Sequence, residues 1–233
     1  MRKTINAFFI TATGTSIGKT FVTAALCHQR SLIGKPVQAL KPVISGYEDI
    51  APGNTDSSVL LQSMGLKLTK RNVSNISPWR FSAEISPDMA AVRENRNIDF
   101  SQLISFCEGS IENNSAQGTI TLIEGVGGVM VPLNETHTVL DWIIALKIPT
   151  ILVAGTYLGT ISHTLTACSA LTSNGVDVTR IVLSQSAENP VTPEETASVI
   201  SKFLPDIQIT RVARAKDEPA PWQNCQNLLD IIE

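Results

Sequence analysis

The sequence predicts an α/β protein built around a doubly wound, mostly parallel sheet. Short apolar runs alternate along the chain with segments that have helical spacing, and the first run leads into a glycine-containing loop ending in Gly-Lys-Thr. Hydrophobic residues make up 43% and charged residues 17% of the 233 residues, the balance of a packed globular protein. No repeat or linker composition divides the chain, so we predict that residues 1–233 form a single domain.

The strands are predicted from five short apolar runs, which suit strands buried on both faces of a parallel sheet. The runs are residues 7–10, 37–40, 119–123, 150–153 and 180–183. Helical spacing recurs at residues 19–32, 55–64, 100–113, 139–146, 162–172 and 194–203. This alternation predicts right-handed βαβ units. Residues 46–97 are the least regular stretch, and we interpret them as a functional excursion of the domain.

Charge and hydropathy argue against several classes of function. The net charge of −3 indicates no broad electrostatic surface for nucleic acid or an anionic membrane. No apolar run approaches the roughly 18 residues of a membrane span, and the run at 7–10 is too short for a signal peptide. A cytoplasmic location is therefore expected. The four cysteines form no CxxC pair, and we predict that Cys27, Cys107 and Cys168 are buried and inert.

The loop that follows the first run reads A-T-G-T-S-I-G-K-T and opens a helical segment. Strand, loop and helix in this order are the context of a phosphate-binding P-loop. Backbone N–H groups around Ser16, Gly18 and Lys19 are expected to converge on phosphate oxygens. Lys19 would contact the β- and γ-phosphates, and the Thr20 hydroxyl would ligate magnesium. Thr13 stands where the usual spacing has its first glycine, so a chance Gly-Lys-Thr at an ordinary helix start is the alternative.

Two acidic residues would complete a nucleotide site. Glu124 ends an apolar run and opens the glycine-rich segment E-G-V-G-G, where a carboxylate can hold magnesium or its water shell. Asp56 stands at the start of a predicted helix. The competing interpretation of Asp56 is a helix N-cap, a position that aspartate favours.

Several motifs in this order resemble those of the dethiobiotin synthetase family. The loop A-T-G-T-S-I-G-K-T resembles the family's G-T-D-T-x-V-G-K-T, and K-P-V-I-S-G at 41–46 is the family's K-P-V-x-S-G. E-G-V-G-G at 124–128 is followed by V-P-L and Asp141, as in the family. S-P at 86–87 and L-G-T-I-S-H at 158–163 complete the series. The resemblance extends from residue 7 to about residue 185.

The resemblance implies that 7,8-diaminononanoate, carbon dioxide and ATP are converted into dethiobiotin, ADP and phosphate, with magnesium. One amine forms a carbamate that attacks the γ-phosphate, and the second amine closes the cyclic urea. Such chemistry needs cations around the carbamate and the transferring phosphoryl group. Lys19 and Lys41 would supply them together with magnesium, and Ser45 would hydrogen-bond the carbamate or the diamine.

The family's site residues carry over by position. For magnesium they are Thr20, Asp56 and Glu124. For the nucleotide they are Thr15, Ser16, Ile17, Gly18, Lys19, Thr20, Phe21, Asp56, Glu124, Gly127 and Ser184. The substrate carboxylate would bind at Gly159, Thr160, Ile161 and Ser162, where N–H groups begin a helix. In the family that helix belongs to the partner subunit, which implies a homodimer with shared active sites.

The sequence also departs from the family pattern. Ala12 and Gly14 replace a glycine and an aspartate of the loop, and Ser162 replaces an asparagine. Alanine at position 12 is tolerable where the backbone keeps φ negative. Ser184 stands where the family usually has an adenine-reading asparagine, and V-A-R at 212–214 stands where a proline-containing loop lines the base. A relaxed preference among nucleoside triphosphates follows as a hypothesis.

Alternative interpretations remain at this point. The chain could be another ligase of this fold, of the cobyrinate amidase-like type, which would not need K-P-V-x-S-G. It could be a partitioning-type ATPase, although the extra lysine of those loops is missing between Ile5 and Gly18. A small-molecule kinase would need a lid with several arginines, and residues 46–79 contain only Arg71. Single residues also have simpler interpretations. Lys41 could be a solvated lysine, Ser45-Gly46 could be an ordinary turn, and His163 could be a structural residue of its helix. We assign no role to His28 and His137.

Overall fold

The computed structural model describes residues 6–48, 53 and 55–233 of the chain. Its eight strands, in chain order, are β1 Ala7–Ala12, β2 Val37–Leu40, β3 Val43–Ser45, β4 Trp79–Phe81, β5 Ile120–Glu124, β6 Thr150–Ala154, β7 Val178–Ser184 and β8 Gln208–Val212. Six of them form one sheet in the order β2-β5-β1-β6-β7-β8, and every pairing is parallel. The α/β prediction with a parallel sheet is confirmed.

The helices connect these strands across the sheet. They are α1 Lys19–Leu32, α2 Asp56–Ser63, α3 Lys70–Ile76, α4 Pro87–Arg93, α5 Phe100–Ala116, α6 Val139–Leu146, α7 Thr160–Ser173 and α8 Pro193–Phe203, with 3₁₀ turns at Pro221–Asn224 and Leu229–Ile231. All six predicted helices are present, and α7 begins two residues earlier than expected. No helix in the described part of the chain is long and apolar enough to cross a membrane.

The sequences of the central strands are continuously apolar because these strands are buried on both faces. Every residue of β1, β5 and β6 is buried, because helices cover both faces of the sheet. The ring of Phe9 on β1 packs edge to face on Trp142 of α6 at a centroid distance of 4.9 Å. Cys27, Cys107 and Cys168 are buried as predicted, and burial raises the pKa of Cys27 to about 12.

Residues 46–97, predicted to be the least regular stretch, contain more short elements than the sequence indicated. Besides the predicted α2, this stretch contains α3, β4 and α4, and β4 pairs with β3 in a second, two-stranded parallel sheet. Each of these elements has seven residues or fewer, too few for apolar periodicity to be visible. Residues 49–52 and 54 of the stretch lie outside the described residues.

Strand β8 was also missed by the sequence analysis. It lies at the edge of the sheet beside β7, and only its last residue, Val212, is fully buried. Because an edge strand is half exposed, its polar residues hide the apolar signal that marked the central strands.

Candidate functional site

The site lies at the carboxyl edge of the main sheet. Strand β1 sits between β5 and β6, and β2 lies on the far side of β5, so the segments that follow β1, β2 and β5 come together. They surround a cavity of about 820 Å³. Eleven predicted site residues line it: Thr15, Ser16, Ile17, Gly18, Lys19, Thr20, Phe21, Lys41, Ser45, Asp56 and Gly127.

The loop between β1 and α1 has the backbone shape of an anion-binding turn. Gly18 is the N-cap of α1 with a φ of 108°, and Ser16 has a φ of 57°, a region that residues with a Cβ seldom occupy. The first N–H groups of α1 therefore face the cavity without partners inside the helix. The Lys19 ammonium bridges the loop by donating to the carbonyls of Gly14 at 3.1 Å and Gly127 at 2.7 Å.

The structure accommodates the departures at positions 12 and 14. Ala12 is the last residue of the extended strand β1 and has no positive φ, so its methyl group fits. A Cβ built on Gly128 would lie 3.2 Å from the Cα atom of Gly14. The glycine run after β5 and the loop after β1 thus touch backbone to backbone, and the missing Cβ of Gly128 permits the contact. A Cβ on Gly14 would meet only Ile17, at 3.7 Å, so packing does not require glycine at position 14.

Lys41 is the centre of a buried ionic cluster. Its Nζ atom lies 2.8 Å from Glu124 Oε1, 2.8 Å from the Gly125 carbonyl and 3.0 Å from Asp56 Oδ2. Glu124 is fully buried and also accepts a 2.7 Å hydrogen bond from the Thr20 hydroxyl. Lys41 is therefore a buried, paired lysine, and its interpretation as a solvated residue is wrong.

Asp56 is not the N-cap of its helix. That position belongs to Thr55, whose side chain accepts a hydrogen bond from the Ser58 N–H. Asp56 is the first helical residue, and its carboxylate points to Lys41. The sheet order brings together two acidic residues and a lysine that are far apart in sequence.

The two lysines have opposite electrostatic surroundings. Burial opposes the charge of Lys41, but Asp56 and Glu124 outweigh it and raise the pKa of that ammonium. Burial, together with the nearby charge of Lys41, lowers the pKa of Lys19 to about 8. Burial favours the neutral acid at Asp56, yet the charge and hydrogen bond of Lys41 hold the pKa of that carboxyl below its ordinary value.

The donor set around Glu124 fits a magnesium ion. Thr20, Asp56 and Glu124 offer one hydroxyl and two carboxylates, the hard oxygen ligands that magnesium prefers. Glu124 Oε2 is buried without a hydrogen-bond partner among the described residues. No group of three or more acidic, histidine or cysteine ligands occurs within 6–48, 53 and 55–233. A magnesium ion held by these three side chains would therefore take its remaining ligands from phosphate oxygens and water.

Further residues line the cavity that the sequence analysis did not single out as ligands. They are Ile44, Gly46, Glu48, Thr55, Glu84, Ile85, Ser86, Pro87, Val126 and Val131. Ser45 contributes a hydroxyl oxygen that is buried and has no partner among the described residues. Glu84 lies in the stretch interpreted as a functional excursion, and its position just before the Ser-Pro motif was its one signal in the sequence.

The remaining predicted residues do not line this cavity. Ser184, at the end of β7, lies behind the loop, where its Oγ would be 2.7 Å from a Cβ on Gly18. Gly159 and Ser162 are exposed at the start of α7, and buried Thr160 donates to the Gly155 carbonyl at 2.7 Å. His163 Nδ1 pairs with the Tyr157 hydroxyl at 2.8 Å.

The chain is similar in sequence to several proteins that share the same name. The ATP-dependent dethiobiotin synthetase BioD of Acidiphilium cryptum (strain JF-5) is 48% identical over 198 residues, which are 84% of this chain and 87% of that protein. The protein of the same name from Methylobacterium nodulans is 42% identical over 219 residues, covering 93% and 96%. A family model described as an AAA domain matches residues 6–215.

Solved structures share the fold at much lower identity. The signal recognition particle receptor FtsY from Elizabethkingia anophelis in complex with GDP has a TM-score of 0.55 and 11% identity, covering all of this chain and 63% of that one. A ParA family ATPase from Chlorobium tepidum TLS has a TM-score of 0.54 and 15% identity, covering 91% and 85%. These similarities establish the P-loop NTPase fold and no more.

Proposed function

Because the chain belongs to the ATP-dependent dethiobiotin synthetase family of ligases, we propose that it converts 7,8-diaminononanoate, carbon dioxide and ATP into dethiobiotin, ADP and phosphate. The reaction belongs to biotin biosynthesis, and a cytoplasmic location suits its soluble substrates. The observation that carries the proposal is that Lys19 of the phosphate loop and Lys41 of K-P-V-I-S-G line one cavity. This cavity can hold a polyphosphate and an amine side by side.

The polyphosphate would lie on the N-terminus of α1. The N–H groups from Thr15 to Phe21 surround it, and Lys19 exchanges its carbonyl partners for the β- and γ-phosphates. Thr20, Asp56 and Glu124 would hold magnesium, which neutralises charge on the transferring phosphoryl group. The carbonyl of Gly127 would lose its hydrogen bond from Lys19 when the ammonium group turns to the phosphates.

Lys41 and Ser45 would act on the carbamate. A carbamate oxygen attacks the γ-phosphorus and ADP leaves; the second amine then attacks the carbamoyl carbon and phosphate leaves. Lys41 stabilises the negative charge on the carbamate and the phosphoryl oxygens. Its three N–H donors are all occupied, so it must release Glu124, Gly125 or Asp56 to reach the substrate. The unpartnered Ser45 hydroxyl is available as a donor to the same group.

The base end of the nucleotide is expected near Ser184. Gln185, the next residue, is held by its N–H on the Val212 carbonyl at 2.9 Å, and its side chain accepts from the Arg214 N–H at 3.2 Å. A serine hydroxyl offers fewer fixed hydrogen bonds to a base than an asparagine amide does. We therefore expect weak discrimination between ATP and other nucleoside triphosphates.

The start of α7 would serve a second subunit. Gly159, Thr160, Ile161 and Ser162 do not line the cavity of their own chain. Leu158 beside them is 85% exposed, so this end of α7 is accessible to a partner. A homodimer would bring the N–H groups of this helix to the substrate carboxylate in the neighbouring cavity.

The experiment that tests the function measures ADP release by the purified protein with Mg-ATP and bicarbonate. It is run with and without 7,8-diaminononanoate, and dethiobiotin is identified by mass. We expect turnover that depends on the diamine, and no turnover by the Lys41→Met variant. ATP hydrolysis that is indifferent to the diamine, with no product, would contradict the proposed substrate and leave only nucleotide binding.

Shared active sites are tested by mixing two inactive variants. Lys41→Met removes a residue of the cavity, and Ser162→Asp places a negative charge where the carboxylate is expected. Acidic residues suit the first turn of a helix, so the second variant should fold. Random mixing of a two-fold dimer should restore about a quarter of wild-type activity in sites free of both changes. No recovery on mixing would argue that each chain works alone.

A further inference from the structure

Two carboxylates on the cavity wall have no partner in the part of the chain that the structure describes. Glu48 and Glu84 both line the cavity that contains Lys41 and Ser45. Within residues 6–48, 53 and 55–233, neither side chain has a salt bridge or a hydrogen bond. Both residues are exposed and line this cavity, so their negative charge is accessible to a ligand there; Glu48 also lines a neighbouring cavity with Arg80 and Arg96.

The backbone holds these two residues in place. The hydrogen bonds from the Gly46 N–H to the Ala83 carbonyl, at 3.1 Å, and from the Tyr47 N–H to the Phe81 carbonyl, at 2.9 Å, extend the pairing of β3 with β4. A Cβ on Gly46 would lie 3.2 Å from both Cβ and Cγ of Glu84, so the glutamate packs directly on that glycine. Two short strands thus carry both carboxylates to one wall.

The other charged groups of the cavity are either paired with each other or positioned to bind phosphate. Asp56 is paired with Lys41, which also compensates Glu124. Lys19 and the N-terminus of α1 favour an anion. Glu48 and Glu84 are therefore the carboxylates of the lining that would favour a cation, and cavity walls of low dielectric strengthen their field.

We propose that Glu48 and Glu84, brought to one wall of the cavity by the β3–β4 pairing, bind the ammonium group of the diamine and select an aminated substrate. This inference rests on the proposed function and adds a recognition element to it. An aliphatic amine is protonated at neutral pH, so the diamine reaches the enzyme as a cation. The carboxylates hold its amine end beside Ser45 and Lys41, while the nucleotide occupies the loop.

The test compares steady-state kinetics of Glu84→Gln, Glu48→Gln and the double variant with those of the wild type. Glutamine keeps the size of the side chain and removes the charge. We expect the KM for 7,8-diaminononanoate to rise about 3- to 10-fold for each single variant, the range of an accessible ion pair with a hydrogen bond. The KM for ATP and kcat should change less than about twofold, since these contacts do not change on phosphoryl transfer.

A matched control is Glu112→Gln, which removes the same charge from an exposed position on α5 outside the cavity. Its kinetic constants should equal those of the wild type. Sodium chloride should raise the KM of the wild type for the diamine and have much less effect on the double variant, because salt screens the ion pair. A change in folding alone would not remove this salt dependence.

The outcomes separate this inference from the proposed function. A wild type that makes dethiobiotin, with variants whose KM for the diamine and salt dependence are unchanged, overturns the role of the two glutamates and leaves the function intact. A wild type that makes no dethiobiotin and binds no diamine in calorimetry overturns both. Loss of kcat with an unchanged KM would also contradict a binding role.

Discussion

The Nζ atom of Lys41 lies 2.8 Å from the Oε1 atom of Glu124, and both side chains are buried beneath the phosphate loop. Lys41 acts in this arrangement as an internal cation between two carboxylates. Since its third donor is used by the Gly125 carbonyl, no donor is free for a ligand. Binding of a metal-nucleotide complex at the carboxylates would therefore release the lysine toward the substrate.

Replacing Lys41 by methionine should destabilise the protein without magnesium. The change leaves Glu124 buried without its cation, and it should lower the free energy of unfolding by roughly 3 kcal/mol, the lower end for a broken buried pair. The lower end applies because the Asp56 side chain keeps 40% of its surface exposed. Magnesium should recover part of the loss.

Thermal melts with and without magnesium chloride measure this effect. Lys67→Met, at an exposed position outside the cavity, is the control for losing a lysine. A Lys41→Met variant that melts with the control, in both buffers, would show that the pair contributes nothing to stability.

Replacing Lys19 by methionine should separate stability from nucleotide binding. Burial lowers the pKa of Lys19 to about 8, so the folded state disfavours its charge, and an apolar side chain removes this cost. The free energy of unfolding without nucleotide should change little, because methionine also removes the hydrogen bonds to the Gly14 and Gly127 carbonyls. Affinity for ATP should fall about 10- to 100-fold, because a charge-assisted phosphate contact disappears.

Denaturant unfolding and calorimetric titration with a non-hydrolysable ATP analogue measure the two effects on the same samples. Tight analogue binding by the variant would refute the phosphate role of Lys19.

Gly18→Ala should lower the free energy of unfolding by more than the backbone strain at this position alone. At a φ of 108° any Cβ is disfavoured by about 1–2 kcal/mol, and here it would also meet Ser184 Oγ at 2.7 Å. Gly34→Ala is the matched control, since Gly34 has a φ of 69° and no atom near its Cβ position.

The difference in unfolding free energy between these two variants measures the contact with Ser184. Adding Ser184→Gly to Gly18→Ala should recover part of that difference. Equal losses in the two single variants would mean that the loop moves away from β7 freely.

Replacing Asp141 by alanine should lower the free energy of unfolding by an amount that depends on pH. Its carboxylate closes a capping box with Thr138 at the start of α6, accepting two hydrogen bonds of 2.7 Å from that residue. Asp141→Ala should lower the free energy of unfolding by about 1 kcal/mol at neutral pH. Burial opposes its charge, but the hydrogen bonds from Thr138 outweigh this effect and hold the pKa of Asp141 below its ordinary value of 3.8.

A lowered pKa fixes the sign of the pH effect. The contribution of Asp141 is complete above pH 3.8 and is lost as the pH falls through its lower value in the folded protein. Unfolding curves of wild type and variant should therefore converge at acid pH, with the exposed Asp206→Asn as a control. A difference that persists when the carboxyl is protonated would point to packing rather than to the cap.

Local sequence determined the central elements of the fold. The run Ala-Phe-Phe-Ile marked β1 because a strand covered on both faces needs apolar side chains at every position. Lys19–Leu32 and Val139–Leu146 were predicted with the bounds that the structure has, since their apolar spacing extends over two or more turns. The Gly-Lys-Thr loop was visible for the same reason: its residues act within one turn of each other.

The family resemblance assigned Lys41, Asp56 and Glu124 to one site, but only the tertiary structure decided that the lysine pairs with both carboxylates. Lys41 and Glu124 are 83 positions apart, and their contact depends on β2 lying beside β5, an order that no local pattern encodes. Glu84 reaches the cavity through the pairing of two three-residue strands, which are too short to show a period. Apolar spacing reports how one element faces the core, whereas the ionic cluster and the placement of Glu48 and Glu84 arise from long-range pairing between elements.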